Sequence, residues 1–159
     1  MSRAGNIRKK AVRPDVQYDS SLISKIVNRV MRDGEKMVAT KQVYGALGII
    51  SQKLGQDPLD VLNKAVENVK PTMEVRPRRI GGAAYQVPQP VRGDRKESLA
   101  IRWLILAARS RSNKEYHSFA EKFAAELIDA FNSQGAAMKK KTDMHRMAEA
   151  NKAFAHFKW

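Results

Sequence analysis

The sequence contains no cysteine in 159 residues, so disulfide scaffolds, thiolate-bound zinc and cysteine nucleophiles are excluded. It also lacks a long apolar run. The longest uncharged stretch, Ile80 to Val91, carries Pro88 and Pro90 and is only a dozen residues long. A bilayer-crossing helix needs about 20 apolar residues, so no membrane partner is expected. No glycine-rich phosphate loop is present: Gly34-Glu35-Lys36 is too short, and Gly81-Gly82 precedes a strand instead of a helix. No serine is framed as a nucleophile elbow. His117, His145 and His156 show no metal-ligand spacing with each other or with carboxylates. Asp57 and Asp60 are explained by helix capping and the first-turn dipole. These absences leave no basis for an enzyme, a cofactor or a small-molecule substrate.

Acidic residues are scarce too, with 16 Asp+Glu against 30 Lys+Arg and a net charge of +14. The excess is segregated. Residues 1–14 carry Arg3, Arg8, Lys9, Lys10 and Arg13 without an acid. Residues 15–69 balance seven bases against seven acids, residues 70–114 hold eleven bases against three acids, and residues 139–159 are again basic. Hydrophobic residues make up 43% of the chain, enough for a real core. A near-neutral scaffold carrying separate cationic blocks points to a polyanionic partner. The first block lacks the apolar face of a transit peptide and the apolar core of a secretory signal. It reads as a basic arm, and export is not expected.

Helical periodicity dominates the scaffold. Leu22, Ile23, Ile26, Val27, Val30 and Met31 lie on one face, after a cap at Ser20 or Ser21 and before a stop at Asp33-Gly34. Val43, Leu47, Ile50 and Leu54 mark a second helix. Asp57-Pro58 reads as N-cap plus first residue of a third, which carries Leu59, Leu62, Val66 and Val69 and ends at Pro71. Alternation then takes over. Met73, Val75 and Pro77 interleave with Glu74, Arg76 and Arg78, and Gly81-Gly82 allows a tight reversal into Ala83 to Val87. Pro77, Pro88 and Pro90 cannot donate to a ladder, so the ribbon belongs outside any wide sheet. Asp94 with Glu97 resembles a capping box for a fourth helix containing Leu99, Trp103 and Leu106. A stripe from Tyr116 through Phe119 and Phe123 to Phe131 predicts a fifth helix ending at Gly135. Thr142 or Asp143 is the expected cap of a sixth, with Met144, Met147 and Phe154 on one side. The expected fold is mainly α: a six-helix bundle with a protruding two-stranded antiparallel β-hairpin inserted after the third helix. It forms one domain over residues 1–159, with a basic N-terminal arm (1–14), a hairpin arm (72–90) and a basic C-terminal helix and tail (139–159).

The hairpin carries the sharpest functional signal. Arg76, Arg78 and Arg79 crowd a narrow ribbon, where guanidinium groups repel unless an anion lies alongside, and Tyr85 can stack on an unpaired base. Arg92, Arg95 and Lys96 sit where a helix N-terminus favours anions, and Arg102, Arg109, Arg111 and Lys114 continue the basic surface. The only carboxylates between Pro90 and Lys114 are Asp94 and Glu97, so pairing is not expected to neutralise it. Lys139, Lys140 and Lys141 read equally as a flexible loop or a phosphate contact before the last helix. Trp103, Phe119, Phe123 and Phe131 are expected in the core.

Several motifs in order carry a family likeness. They are Val66-Glu67-Asn68-Val69-Lys70-Pro71, Glu74-Val75-Arg76, Arg78-Arg79-Ile80-Gly81-Gly82, Tyr85-Gln86-Val87-Pro88, Leu99-Ala100-Ile101-Arg102-Trp103, Lys139-Lys140-Lys141, and Met147 through His156. Together they resemble the small ribosomal subunit protein seven family in its bacterial form, over essentially the whole chain. The family's turn between its first two helices often reads Gly-Lys-Lys; here it is Gly34-Glu35-Lys36, which leaves Lys36 as the contact at that turn. The resemblance implies a primary binder of small-subunit ribosomal RNA that nucleates the head domain. It also implies a cytoplasmic ribosomal location, although an organelle-encoded chain would look the same. Exit-site tRNA and mRNA are implied close to Arg78, Arg79, Ile80, Gly81, Gly82, Lys152 and His156. The ninth and eleventh small-subunit proteins are implied neighbours. The alternative from another class is an architectural DNA-binding protein with a basic ribbon arm, for which Ile80 is the only wedge candidate.

Overall fold

The computed structural model describes residues 11–157; Arg3, Arg8, Lys9, Lys10 and Trp159 lie outside them. Six α-helices and one hairpin follow the expected order: α1 (Ser21–Val30), α2 (Lys36–Leu54), α3 (Pro58–Val69), β1 (Met73–Ile80), β2 (Ala83–Pro90), α4 (Gly93–Ser110), α5 (Phe119–Phe131) and α6 (Gly135–Ala150). A 3-10 helix, Lys152–Phe157, completes the described chain.

Most of the core comes from the stripes, but Val61 and Leu104 lie outside them, and Leu106, expected on the α4 face, is 56% exposed. Ile23, Ile26 and Val27 of α1, Val43, Leu47 and Ile50 of α2, and Val61, Leu62 and Val66 of α3 are buried, together with Leu104 of α4 and Phe123 and Leu127 of α5. Each such side chain contributes about 1.5–3 kcal/mol of burial. Trp103 joins them, and Phe119 and Phe131 pack against the cluster. Asp57 caps α3 by accepting the Leu59 N–H at 2.9 Å, with Pro58 at the first position.

The hairpin pairs Met73 with Pro90 through Ile80 with Ala83. Its two-residue turn needs positive φ at both positions, and Gly81 and Gly82 supply +56° and +88°. No third strand joins it among the described residues. The root packs on α6 and β2 meets the 3-10 helix, whereas Pro77, Arg79, Gly81 to Ala84 and Gln86 stay exposed.

Several helix boundaries differ from expectation. Asp94 does not cap α4: the cap position is Arg92, no side chain closes it, and Asp94 lies inside the first turn. Tyr116 precedes α5, which starts after Ser118. Ser118 accepts the Glu121 N–H at 3.2 Å while Glu121 reaches one residue past the cap to accept the His117 N–H at 2.9 Å, a variant of the capping box. Gly135 opens α6 instead of closing α5, and Lys139 to Lys141 lie within that helix, not in a loop before Thr142. The reason is a cap supplied from another helix: the buried Glu126 carboxylate accepts the Ala137 N–H at 3.0 Å. Phe154 leaves the α6 face, because that helix ends at Ala150 and Phe154 enters the 3-10 turn; Met147 is exposed.

Candidate nucleic-acid interface

The strand alternation that builds β1 brings Arg76 and Arg78 to the entrance of α4. There they line a cleft of about 890 Å³ together with Glu74, Gln89, Arg92, Asp94, Arg95 and Ser98. Glu74 organises it. This carboxylate is only 5% exposed. It accepts Arg76 Nε at 2.6 Å and Arg95 Nε at 3.0 and 2.7 Å through its two oxygens. The carboxylate holds two guanidinium groups by their Nε edges, on a ribbon and on the helix that follows it. Four arginines against two carboxylates leave the cleft cationic, beside a helix N-terminus whose N–H groups favour anions.

A second basic surface lies at the C-terminal end of α1. Arg29, Arg102 and Arg109 surround a depression of about 270 Å³ with Leu106 at its edge. Arg109 donates to the Val30 carbonyl at 2.9 Å. Its burial, and then the charges of Arg32 and Arg29, lower its pKa from the ordinary arginine value. No carboxylate among the described residues pairs with Arg29, Arg32, Arg102 or Arg109 in an ion pair. Arg29 and Arg32 were not signalled by composition, because residues 15–69 sum to zero.

Other expected contacts fall differently. Arg111 is turned inward. Its guanidinium donates to Glu126 Oε2 at 2.9 and 2.6 Å and to Asp129, and its side chain is 19% exposed. Burial opposes its charge, but the bonds to Asp129 and Glu126 outweigh burial and raise its pKa further. Lys141 donates to the Asn68 carbonyl at 2.5 Å, whereas Lys139 and Lys140 are exposed. The expectation that carboxylates were too few to pair the 90–114 segment holds only locally: Glu74, Glu126 and Asp129 reach it from other elements. Arg13, Lys36, Arg79, Arg102 and Lys114 are exposed, and Lys96 is half-buried.

Tyr85 is half-buried against the 3-10 helix, its ring 5.2 Å from Phe154 and 5.5 Å from Phe157. The hairpin and the C-terminal segment therefore form one joint structure, which puts Lys152 and His156 on the turn that packs against β2. Among the described residues no group of histidines and carboxylates could hold a metal ion, and no helix is long and apolar enough to cross a membrane.

Comparison with known proteins agrees with this basic architecture. The family model for Ribosomal protein S7p/S5e matches residues 2–152. The small ribosomal subunit protein uS7 of Thermoanaerobacter sp. (strain X514) is 55% identical over 159 residues, covering 100% of both chains. Proteins of the same name from Sulfurihydrogenibium sp. (strain YO3AOP1) and Caldicellulosiruptor bescii are 52% and 54% identical, again over 100% of both chains.

Proposed function

The chain belongs to the ribosomal protein S7p/S5e family, and from that premise we propose that it folds the head of the small subunit by gripping ribosomal RNA at several separated surfaces. As a family member it is a structural, RNA-binding component of the small subunit of the bacterial-type cytoplasmic ribosome, and the family is not one of enzymes. The finer reading assigns the hairpin–α4 cleft to a phosphate backbone. Arg76, Arg78, Arg92 and Arg95 are the principal contacts. Arg102, Arg109 and the surface beside Arg29 serve a second RNA segment, and the exposed Arg13, Lys36, Lys114, Lys139 and Lys140, with the half-buried Lys96, extend both. The basic arm over residues 1–14, the hairpin over 72–90 and the C-terminal segment from residue 139 act as three limbs of one domain.

The observation that carries this reading is the Glu74 arrangement. A buried carboxylate that fixes Arg76 and Arg95 holds cations in place before any ligand arrives, which lowers the ordering cost of binding. The packing of Tyr85 on Phe154 and Phe157 supports a joint role for the hairpin tip and the terminal turn near exit-site tRNA and mRNA. The ninth and eleventh small-subunit proteins are the proposed protein neighbours. The architectural DNA reading loses ground on the family and on the tip itself, since Ile80 is half-buried between Arg79 and the Gly81-Gly82 turn. A competition assay among a head-domain RNA fragment, an unrelated structured RNA and duplex DNA tests the assignment. Preference for the head fragment is expected, and preference for the duplex would overturn it.

A further inference from the structure

The root of the hairpin is held to α6 by one imidazole. Thr72, which precedes β1, donates its N–H to Nε2 of His145 at 3.1 Å, and its hydroxyl lies 3.3 Å from the same nitrogen. The Thr72 carbonyl accepts the Val91 N–H at 3.0 Å, so this residue also closes the base of the ribbon. One turn earlier on α6, Lys141 fastens the Asn68 carbonyl at 2.5 Å. The Asn68 side chain in turn donates to the carbonyls of Ala130 and Phe131, both at 3.0 Å. The α3–β1 connection is therefore fixed by α5 and α6 together, and the strand it launches carries Arg76 and Arg78 into the cleft.

A ring nitrogen that accepts an N–H must be unprotonated, with the ring proton on Nδ1. Burial, followed by the charge of Lys141, holds the His145 pKa below its ordinary value and preserves that acceptor at neutral pH. The charged groups on the elements packed against α6 offer little to offset protonation. Glu67 is engaged by Lys70, Glu74 by Arg76 and Arg95, Glu97 of α4 by Lys25, Glu126 and Asp129 by Arg111, and on α6 itself Asp143 pairs with Arg146. The exposed Glu149, one turn beyond His145 on α6, is the acid best placed to favour the protonated ring. Strand β2 has no charged residue, and the 3-10 helix adds only Lys152 and His156.

We propose that His145 is a positioning residue for the hairpin: as a neutral imidazole it fixes the ribbon's angle to the helical body, and on protonation it releases the Thr72 N–H. The protonated nitrogen becomes a donor, for which the Thr72 hydroxyl is the nearest acceptor, so the root changes its bonding without losing every contact. Because the folded-state pKa is depressed, the stabilisation is present above the ordinary histidine value of 6.5 and is lost as pH falls through the lower folded value. The consequence for RNA affinity rests on the function proposed above, whereas the latch itself does not.

Amide hydrogen exchange on the full-length free protein tests the latch. The protection factor of Thr72 should fall roughly tenfold below the His145 midpoint, the worth of one hydrogen bond, while Val66 in α3 stays protected. His145→Gln keeps a side-chain acceptor that does not titrate and should show no such pH response. An equal fall in His145→Gln, or a pH-independent Thr72 in the wild type, overturns the proposal. If that variant does not fold, the wild-type NMR titration decides: the Thr72 amide shift must share the His145 midpoint, and a different midpoint rejects the latch. The RNA arm repeats the comparison with a head-domain fragment, with His117 and His156 retained in the variant. Wild-type affinity should weaken on acidification more than that of His145→Gln. Equal pH responses alongside a working latch overturn the positioning role. Absence of RNA binding at every pH counts against the functional reading and leaves the latch standing.

Discussion

Arg95 on α4 donates through one nitrogen to both oxygens of Glu74 on β1, at 3.0 and 2.7 Å. Two elements separated by a hairpin turn are joined through a carboxylate that has almost no exposed surface. Because Arg76 shares the same carboxylate, Glu74 serves as the keystone of the cleft. The placement of two of the cleft's cations depends on this one side chain, which adds to the attachments made by His145 at the ribbon's root and by Tyr85 further along it.

Glu74→Gln should therefore destabilise the free protein even though it makes the cleft more positive. Losing the charged acceptor in a buried setting costs about 1–3 kcal/mol, readable as a lower urea midpoint. An unchanged midpoint would show that the arginines are held by other contacts.

The arginines divide into two classes with opposite signatures. Arg78→Gln and Arg92→Gln should each reduce the salt slope of RNA binding by about one and leave stability nearly intact. Arg111→Gln should leave the salt slope alone and cost about 3 kcal/mol, because it strands Glu126 in the interior. Salt titrations of binding combined with denaturant unfolding separate the two. A reduced slope for Arg111→Gln would contradict its inward assignment.

Tyr44 donates to Asp15 at 2.7 Å, and the same carboxylate accepts the N–H groups of Gln17 and Tyr18. Burial, then the Asp15 bond and charge, push the Tyr44 phenol from 10.0 up to about 12. The folded pKa is raised, so this stabilisation is complete below pH 10 and is lost as pH rises towards 12. Ultraviolet titration should show one late-ionising tyrosine that disappears in Tyr44→Phe. Persistence of the late phase in that variant would assign it to another phenol.

Two glycines should respond in opposite directions to the same substitution. Gly135 has φ +92°, and a Cβ there would stand 3.0 Å from Glu126 Oε1 and 3.1 Å from Asp129 Cβ. Gly135→Ala should cost about 1–3 kcal/mol. Gly48 lies inside α2 with nothing within 4 Å of its added Cβ. Gly48→Ala should gain roughly 0.5–1 kcal/mol. Thermal unfolding of the free protein reads both signs.

Most of what was legible in the sequence has a local cause, although the Ser118-x-x-Glu121 signal that starts α5 is equally local and is obscured by the apolar stripe beginning at Tyr116. Asp57-Pro58 and Gly81-Gly82 act through their own backbone, so the start of α3 and the hairpin turn were readable. The start of α6 was not, because its cap is Glu126 on α5. Pairing of Arg95 and Arg111 was hidden for the same reason, their carboxylates being 21 and 15 positions away. Arg29 and Arg32 vanished into a neutral block, since charge sums ignore which residues folding brings together. The family motifs marked the hairpin as important. Only the folded chain shows Glu74 holding two of its cations and Tyr85 packed on the terminal aromatic pair.

The most direct measurement of the central claim is a hydroxyl-radical footprint on small-subunit ribosomal RNA, comparing the wild type with the folded Arg78→Gln/Arg92→Gln double variant. The wild type should protect the head domain, and the variant should selectively lose part of that protection, with the remainder intact. Protection outside the head, or an identical footprint for the two proteins, would contradict it.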